Sequence, residues 1–431
     1  MLNFSYNFFS DLIIYSVKYK MLRLLYALML CLSFNCLSAE RATFSGFGNF
    51  GVVHSNSDIY GFRTDISQDN SNFDNSLDFK AISSLGIQAN ISLKKNFDFV
   101  AQAIYRGQDE LTLNNSLSLG FLRYKPTPSW EVRVGRTQLD LYLLTEYRDI
   151  GFAYPWAKIP TEVYGLLPYR SLDGADFTYF KSYDDLYYRF KLFAGQTSSY
   201  VALDLNNAEL KIGDVIGGSF ELSSFNWTIS LKHTQAKTKN NISSIPVIIG
   251  GLQQIPEMIW PEKNTFINDF SLLNKKSYFS SAGLRYDIGP ITLSTELAHL
   301  RSDSTVVPTV KSGYVSTVYN FDKVQLFYSY AATESKPNEF NNAVEISRLL
   351  PNQVEEVIQA VNESFRVFSP NQQTHSLGVR YDLKDNLALK LQLDSSNVDA
   401  QGGALWSFQG MNTQAPQESF RTLFFSVSFT F

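Results

Sequence analysis

The chain has 431 residues, of which 15% are aromatic and only 18% charged, and its formal net charge at pH 7 is −4. Soluble globular proteins carry about 25% charged residues, so the composition argues against an ordinary soluble enzyme. The acidic balance excludes a generally basic nucleic-acid binder. The mean hydropathy is close to zero, which excludes a bundle of apolar helices and is typical of a membrane β-barrel with unlike inner and outer faces.

The N-terminus has the features of a leader. Residues 21–23 are a short basic start, residues 24–32 are an apolar stretch too short to span a bilayer, and residues 37–39 fit a signal-peptidase site. Both cysteines of the chain, Cys31 and Cys36, lie in this region. The mature protein is therefore expected to contain no disulfide, no thiolate nucleophile and no cysteine metal ligand.

These features define the expected domains. The leader is residues 1–39, with the signal peptide at 21–39, and residues 40–431 form a single barrel domain. We attribute residues 1–20 to an upstream start codon, with Met21 as the initiator; a long leader n-region is the alternative.

Residues 44–51 read FSGFGNFG, which has the G-x-G-x-x-G spacing of a dinucleotide-binding loop. Such a loop needs a strand before it, a helix after it and an acidic residue about twenty positions further on. Here the motif opens the mature chain and continues as a strand. We interpret its glycines as positions where a barrel strand bends or is closely approached.

Segments of about ten residues then alternate apolar and polar side chains, as strands do when their two faces meet different solvents. One clear case is 84–93, and another is 387–394, where four leucines oppose Ala388, Lys390, Gln392 and Asp394. Short turns alternate with long polar loops, which is typical of bacterial outer-membrane barrels with an even number of strands. This pattern predicts about sixteen strands.

The expected short turns are 94–96, 126–129, 183–185, 223–226, 287–290, 321–323 and 382–386. The expected long loops are 55–80, 107–114, 138–174, 195–208, 237–275, 302–310, 332–373 and 397–419. Aromatic residues flank the short turns, and we assign Trp130, Trp227, Tyr286 and Tyr381 to a girdle at the membrane boundary. Residues 351–366 have a helical pattern with Asn352 as N-cap, and with Trp260 and 245–251 they are expected to pack over the barrel mouth or on each other.

The C-terminal strand carries apolar residues on one face and ends the chain on an aromatic residue. These residues are Leu423, Phe425, Val427, Phe429 and Phe431. A terminal aromatic of this kind resembles the signal by which Gram-negative outer-membrane proteins are recognised for insertion. We assign that role to Phe425, Val427, Phe429 and Phe431.

With this leader, opening strand, strand series and terminal phenylalanine, the chain resembles Gram-negative outer-membrane porins of the general-porin type. Residues 135–179 resemble the matching stretch of proteobacterial porin-like proteins. The resemblance implies an all-β transmembrane antiparallel β-barrel of about 16 strands, with the third external loop folded into the lumen. It also implies a passive channel for small hydrophilic solutes and ions, with neither enzymatic activity nor a cofactor. The implied partners are outer-membrane lipid, lipopolysaccharide, the barrel-assembly machinery and two further copies of the chain in a homotrimer.

The third long loop is aromatic, as an inward-packed loop should be, and it supplies the constriction candidates. These are Arg136, Asp140, Glu146, Arg148, Asp149, Lys158, Glu162, Arg170 and Asp173. The basic residues expected on the pore wall are Arg123 (on a strand of ambiguous alternation), Arg133, Arg189, Lys191, Arg285, Arg380 and Lys390. Acids on the loop facing bases on the wall would create a transverse field that sets ion preference. In the alternative interpretation, many of these charges are ion pairs that fix the loop to the wall.

The sequence offers little for catalysis or metal binding. His54, His233, His299 and His375 are far apart, and Ser376 is adjacent to His375, so the two point to opposite faces of a strand. The Asn- and Asp-rich stretch 69–78 lacks the glycine and glutamate of an EF-hand loop and is interpreted as a solvated loop. A plug-domain receptor is excluded because the first strand follows the cleavage site directly. A structural or adhesive barrel with its lumen closed by its loops remains the alternative function.

Overall fold

In the computed structural model, residues 42–68, 76–109, 112–203, 206–336, 338–340, 346, 348, 354–408 and 416–431 are described. Within these residues, sixteen long antiparallel strands form one closed barrel. The predicted leader, with both cysteines, lies outside the described residues.

The sixteen strands, β1 to β16 in chain order, are Ala42–Ser55, Ser84–Lys94, Phe97–Arg106, Leu117–Thr127, Trp130–Gln138, Ser171–Tyr183, Leu186–Leu203, Asn206–Ser223, Trp227–Thr238, Lys276–Ile288, Ile291–Ser302, Thr309–Phe321, Val324–Lys336, Pro370–Lys384, Leu387–Gly403 and Glu418–Thr430. Two-residue strands at Tyr60–Gly61, Leu77–Asp78 and Ser407–Phe408 lie in the connections.

The barrel closes because β1 pairs on both sides. Phe47 lies opposite Thr430 of β16, and Gly48 lies opposite Leu85 of β2. Each of the other strands pairs with its neighbours in sequence. Closure leaves no open edge, which is what a sheet needs to satisfy its backbone groups in lipid. The predicted all-β antiparallel barrel of sixteen strands is therefore confirmed.

The two faces of the wall differ as the alternation predicts. Leu85, Ile87, Leu391 and Leu393 are more than 40% exposed on the outer face, whereas Lys390 on the inner face is 1% exposed. In the last strand Leu423 and Phe425 are exposed, and Phe424 between them is buried. The outer face is therefore apolar along the strands. The inner face carries the polar and charged residues.

All seven short turns lie within the predicted ranges, the last of them between Lys384 and Leu387. The girdle residues Trp130, Tyr286 and Tyr381 are 36–42% exposed at these turns. The long loop predicted at 195–208 is wrong, because Leu186–Leu203 and Asn206–Ser223 stay paired throughout that region. The serines and threonine at 197–199 suggested a loop, but hydroxyl side chains are compatible with a strand whose partners are in register.

The long connections contain short helices. They are Leu113–Ser116, Thr161–Tyr164, Ser244–Gln253, Lys263–Phe270 and Glu355–Val367, with 3₁₀ turns at Thr145–Tyr147 and Gly151–Ala153. No helix in the described ranges has both the length and the apolar character needed to cross a bilayer.

Three of the helices pack on each other, as one of the two predicted arrangements requires. Val361 and Phe365 share a buried cluster with Ile245, Trp260 and Phe270. We call these elements, Ser244–Gln253, Lys263–Phe270 and Glu355–Val367, the helical cap. The predicted N-cap Asn352 lies outside the described residues.

The glycines of FSGFGNFG lie beside aromatic rings of the last strand. A Cβ atom at Gly46 would lie 2.2 Å from Cζ of Phe431, and one at Gly48 would lie 2.4 Å from Cζ of Phe429. The interpretation as close approach is therefore confirmed. The motif forms part of the seam between β1 and β16.

We predict that Gly48→Ala destabilises the barrel. The added methyl group would displace the ring of Phe429 at the seam, and overpacking of this kind costs roughly 1–3 kcal/mol. The measurement is the temperature at which the barrel loses its compact mobility in gel electrophoresis. Gly250→Ala is the control because a Cβ atom there meets no heavy atom within 4 Å. An equal midpoint for Gly48→Ala and wild type would contradict the prediction.

Candidate functional site

Residues 139–170, here called the inner loop, join Trp130–Gln138 to Ser171–Tyr183 and contact inner-face residues of strands far along the sequence. The amide of Leu143 donates to Glu296 Oε1 at 2.8 Å, and Trp156 Nε1 donates to Ser329 Oγ at 2.9 Å. The amide of Ala157 donates to Gln392 Oε1 at 3.0 Å. The loop is therefore fixed to several strands rather than to its own neighbours alone.

Asp140 connects the start of the inner loop to two lysines of the wall. Its carboxylate accepts from Lys232 Nζ and from Ser219 Oγ at 2.8 Å, and it lies 3.6 Å from Lys191 Nζ. Burial opposes ionisation of Asp140, but the ammonium groups of Lys232 and Lys191 outweigh it and hold the pKa of this carboxyl below its usual range. The site is a buried anchor in which two lysines share one carboxylate.

Lys390 holds the middle of the inner loop through its backbone. Its ammonium donates to the carbonyl oxygens of Gly151, Tyr154 (2.7 Å) and Trp156 (3.0 Å). Arg380 adds a donation to the carbonyl of Phe152 at 2.6 Å. Two wall cations therefore satisfy carbonyl groups that the irregular backbone leaves without partners.

The distal part of the inner loop meets the wall through charges of both signs. Lys158 Nζ lies 3.0 Å from Asp394 Oδ2. Glu162 Oε1 accepts from Gln372 Nε2 at 2.7 Å and from Thr374 Oγ1 at 2.5 Å. The loop thus supplies the cation of an ion pair at Lys158 and the acceptor of two hydrogen bonds at Glu162.

An aromatic cluster fills the space between these anchors. The rings of Tyr142 and Tyr164 have centroids 5.1 Å apart, and those of Trp156 and Tyr314 are 6.0 Å apart. Tyr164 donates its hydroxyl to Glu296 Oε2 at 2.5 Å. All four rings are at most 4% exposed. This side of the loop is packed like a protein core.

A second charged cluster surrounds Asp149 and Arg170, and we call it the arginine–aspartate cluster. Arg170 lies 2.6 Å from Asp149 and 2.7 Å from Asp65, and Arg106 lies 3.0 Å from Asp149. Arg148 donates to the carbonyl of Tyr164 nearby. Burial disfavours the charged form of Asp149, but the guanidinium groups of Arg106 and Arg170 outweigh burial and keep the pKa of Asp149 below its usual range.

The remaining predicted residues are also paired. Arg136 and Asp173 were assigned to the constriction loop, but they lie opposite each other on the flanking strands, with Arg136 Nε 2.6 Å from Asp173 Oδ1. They fall on strands because the backbone ladder continues to Gln138 and restarts at Ser171. The other pairs are Glu146 with Arg189, Arg133 with Asp176 at 2.8 Å, Arg123 with Asp98 at 2.9 Å, and Arg285 with Asp287 at 3.3 Å.

Two cavities with charged side chains in their linings border the inner loop, and we call them the polar cavities. The larger, of about 360 Å³, is lined by residues including Asp65, Arg136 and Asp173. The smaller, of about 90 Å³, is lined by residues including Asn49 and Asp149. Arg106 and Arg170 line both cavities, so the arginine–aspartate cluster lies where the two approach each other.

Several residues of the site were missed from the sequence. They are Asp65, Arg106, Lys232 and Glu296; the inward face of Asp394 was predicted, but its pairing with Lys158 was not. The strand alternation could have identified Lys232 and Glu296, because each is an inner-face residue next to an exposed leucine, Leu231 and Leu297 respectively. Asp65 lies in an irregular connection, and no pattern indicates its contact with Arg170.

No metal or catalytic grouping is found among the residues that the structure describes. These residues contain no group of three His, Cys, Asp or Glu side chains that could hold a metal ion. His375 Nδ1 lies 2.8 Å from the hydroxyl of Tyr328 on the outer face, whereas Ser376 is buried on the inner one. Most of 69–78 lies outside the described residues, and Asp78 accepts from the amide of Lys80 at 2.7 Å.

Comparison with solved structures places the chain in the fold of Gram-negative outer-membrane porins. The trimer form of OmpT, an outer membrane protein of Vibrio cholerae, superposes with a TM-score of 0.50 at 10% identity, covering 90% of this chain and 99% of that one. An anion-selective porin from Comamonas acidovorans superposes with a TM-score of 0.51 at 14% identity, covering 90% of this chain and 99% of that one. The outer membrane channel DcaP of Acinetobacter baumannii superposes with a TM-score of 0.50 at 10% identity, covering 91% of this chain and 99% of that one. No family model matches the chain, and no curated protein matches its sequence.

We predict that Lys390→Met releases the middle of the inner loop. The substitution removes a cation that bonds three carbonyl groups, and one charged hydrogen bond contributes about 1.5–3 kcal/mol. Hydrogen exchange of the amides of 151–156 should therefore accelerate at least about tenfold. Lys384→Met, at an exposed strand end, is the matched control. Unchanged exchange in Lys390→Met would show that the lysine does not hold this segment.

We predict that the stabilisation from Asp149 is lost only in strong acid. Because the pKa of Asp149 is depressed in the folded protein, the stabilisation is complete above the pKa of an aspartate in the unfolded chain, about 3.9, and it declines as the pH falls below that value. The difference in unfolding temperature between wild type and Asp149→Asn should be constant from pH 7 to 5 and shrink below pH 4. Asp322→Asn, in an exposed turn, controls for removal of a carboxylate. An equal difference at pH 7 and pH 3 would contradict the assignment.

Proposed function

We propose that the chain is an outer-membrane porin, a passive diffusion channel for small hydrophilic solutes and ions. The observation that carries the proposal is the pair of polar cavities beside the inner loop, which share Arg106 and Arg170. A sixteen-strand barrel has an interior too wide for wall side chains alone to fill. In this proposal the inner loop is the constriction, and solutes pass along its polar side.

The outer surface supports a location in the Gram-negative outer membrane. Apolar side chains cover the outer face, and Trp130, Tyr286 and Tyr381 lie where the short turns would meet the headgroups. The exposed Phe425 and Phe431 suit the proposed insertion signal, which Val427 and Phe429 complete. Removal of a leader ending at residue 39 belongs to the same proposal. The partners are then membrane lipid, lipopolysaccharide and the barrel-assembly machinery, and the trimer form described for the Vibrio protein makes a homotrimer the proposed assembly.

The charges beside the proposed passage favour weak ion selectivity over a strong transverse field. Loop acids face wall bases at Asp140 and Glu146, but the sense is reversed at Lys158 and Asp394. Arg170, at the end of the inner loop, faces Asp65 of the connection that follows β1. Fields from oppositely oriented ion pairs partly cancel, so the net field across the passage is small. Removing one partner of a pair leaves a charge that nothing cancels, and its effect on ion selectivity should be larger than its distance from the passage would suggest.

We predict that Arg136→Ala makes the channel more selective for cations. The substitution leaves the carboxylate of Asp173 unpaired beside the larger polar cavity, which attracts cations. In planar bilayers under asymmetric salt, the cation-to-anion permeability ratio should rise about twofold. Arg285→Ala, at a pair near a short turn and outside the lining of both cavities, is the control. An unchanged reversal potential would place Arg136 away from the passage.

The same preparation separates the proposal from its alternative. The packed aromatic cluster and the helical cap favour a structural or adhesive barrel if they close the lumen completely. Liposomes containing the protein should swell in small sugars and show conductance steps. If correctly folded protein gives no swelling and no conductance steps, the porin proposal is rejected and the closed barrel remains.

A further inference from the structure

A third cavity also borders the inner loop, next to the larger polar cavity with which it shares Pro168 and Thr197, and has a different chemistry. It has a volume of about 140 Å³, and its lining includes Leu139, Leu141 and Leu166 of the loop. The strands contribute Val215, Phe279 and Leu300. All six of these side chains are at most 8% exposed. We call this space the apolar cavity.

The wall changes character along the strands that line the apolar cavity. In Ile291–Ser302, the inner positions Ser294 and Glu296 are polar, and the next ones toward the long-loop end, Ala298 and Leu300, are apolar. In Lys276–Ile288, Ser281 is followed in the same direction by Phe279. A uniformly water-filled lumen gives no reason for this change, since exposing apolar surface to water costs about 25 cal/mol per Å².

The cavity is lined by elements from three parts of the chain. The inner loop lies on one side and the strands on another, while Leu272 and Phe368 come from the connections next to the helical cap. A cavity of about 150 Å³ lined by such side chains stays dry and binds benzene. The volume therefore suits a molecule with a single six-membered ring.

One polar atom in the wall lacks a partner. Thr234 lines the cavity and is 5% exposed, and among the described residues its hydroxyl has no hydrogen-bond partner. A buried hydroxyl without a partner carries a desolvation cost that a ligand could recover. Ala236, the next inner position of the same strand, also lines the cavity and is small.

We propose that the apolar cavity binds a small monocyclic molecule whose single hydrogen-bonding group meets the hydroxyl of Thr234. The apolar walls take the ring, and the threonine fixes its orientation and discriminates against rings without a polar group. This binding is separate from diffusion through the polar cavities. It holds whether or not ions cross the barrel.

The test uses phenol and toluene, which are matched in size and differ in one hydroxyl group. Binding is measured by titration calorimetry on the full chain in detergent, with blank micelles subtracted. Wild type should bind both, and Thr234→Val, which keeps the shape, should reduce the phenol-to-toluene affinity ratio about fivefold. Because the same micelles are present in both proteins, partitioning into detergent cancels in this ratio.

A second pair of variants tests the location. Ala236→Phe adds a ring within the cavity and should abolish binding of both compounds, whereas Ile216→Phe adds the same ring on the exposed outer face and should not. Circular dichroism of each variant checks that the barrel is folded. Undetectable binding to wild type, binding unaffected by Ala236→Phe, or an affinity ratio unchanged by Thr234→Val would overturn the proposal. None of these outcomes bears on conductance, which is measured separately.

Discussion

Closure of the hydrogen-bonded ladder is the constraint from which the other features follow. In hydrocarbon an unpaired backbone group costs several kcal/mol, so the first and last strands must meet in register. They do so where Gly46 and Gly48 make room for the rings of Phe431 and Phe429. A closed barrel of sixteen strands then encloses more volume than its wall side chains fill, and side chains of the inner loop share one buried cluster with inner-face side chains of the strands.

The inner loop has little regular secondary structure, so its polar groups need partners from the wall. Lys390 and Arg380 supply donors to loop carbonyl groups, and Gln392 supplies an acceptor to the amide of Ala157. Asp140 and Lys158 are paired with wall residues of opposite charge. Many of the charges that a pore would present to solutes therefore also hold the loop in place, which couples selectivity to loop position.

The sequence was sufficient for the barrel because alternation is local, whereas the site depends on contacts between distant strands. The alternation of 387–394 predicted that Lys390 and Asp394 face inward, but nothing in it indicated that Lys390 would bond three carbonyl groups. The loop expected at 195–208 was wrong because hydroxyl-rich segments read alike as strand or loop without their pairing partners. Asp65 could not be found at all, since an irregular connection has no periodicity.

The inner loop also borders two environments within one barrel. It presents Arg170 and Asp149 to the polar cavities, and it presents Leu139, Leu141 and Leu166 to the apolar one. Both faces come from the same 32 residues (139–170) because irregular backbone can turn successive side chains in different directions, which a strand cannot do. The polar and apolar linings therefore depend on the position of one irregular segment, and displacing it would alter both.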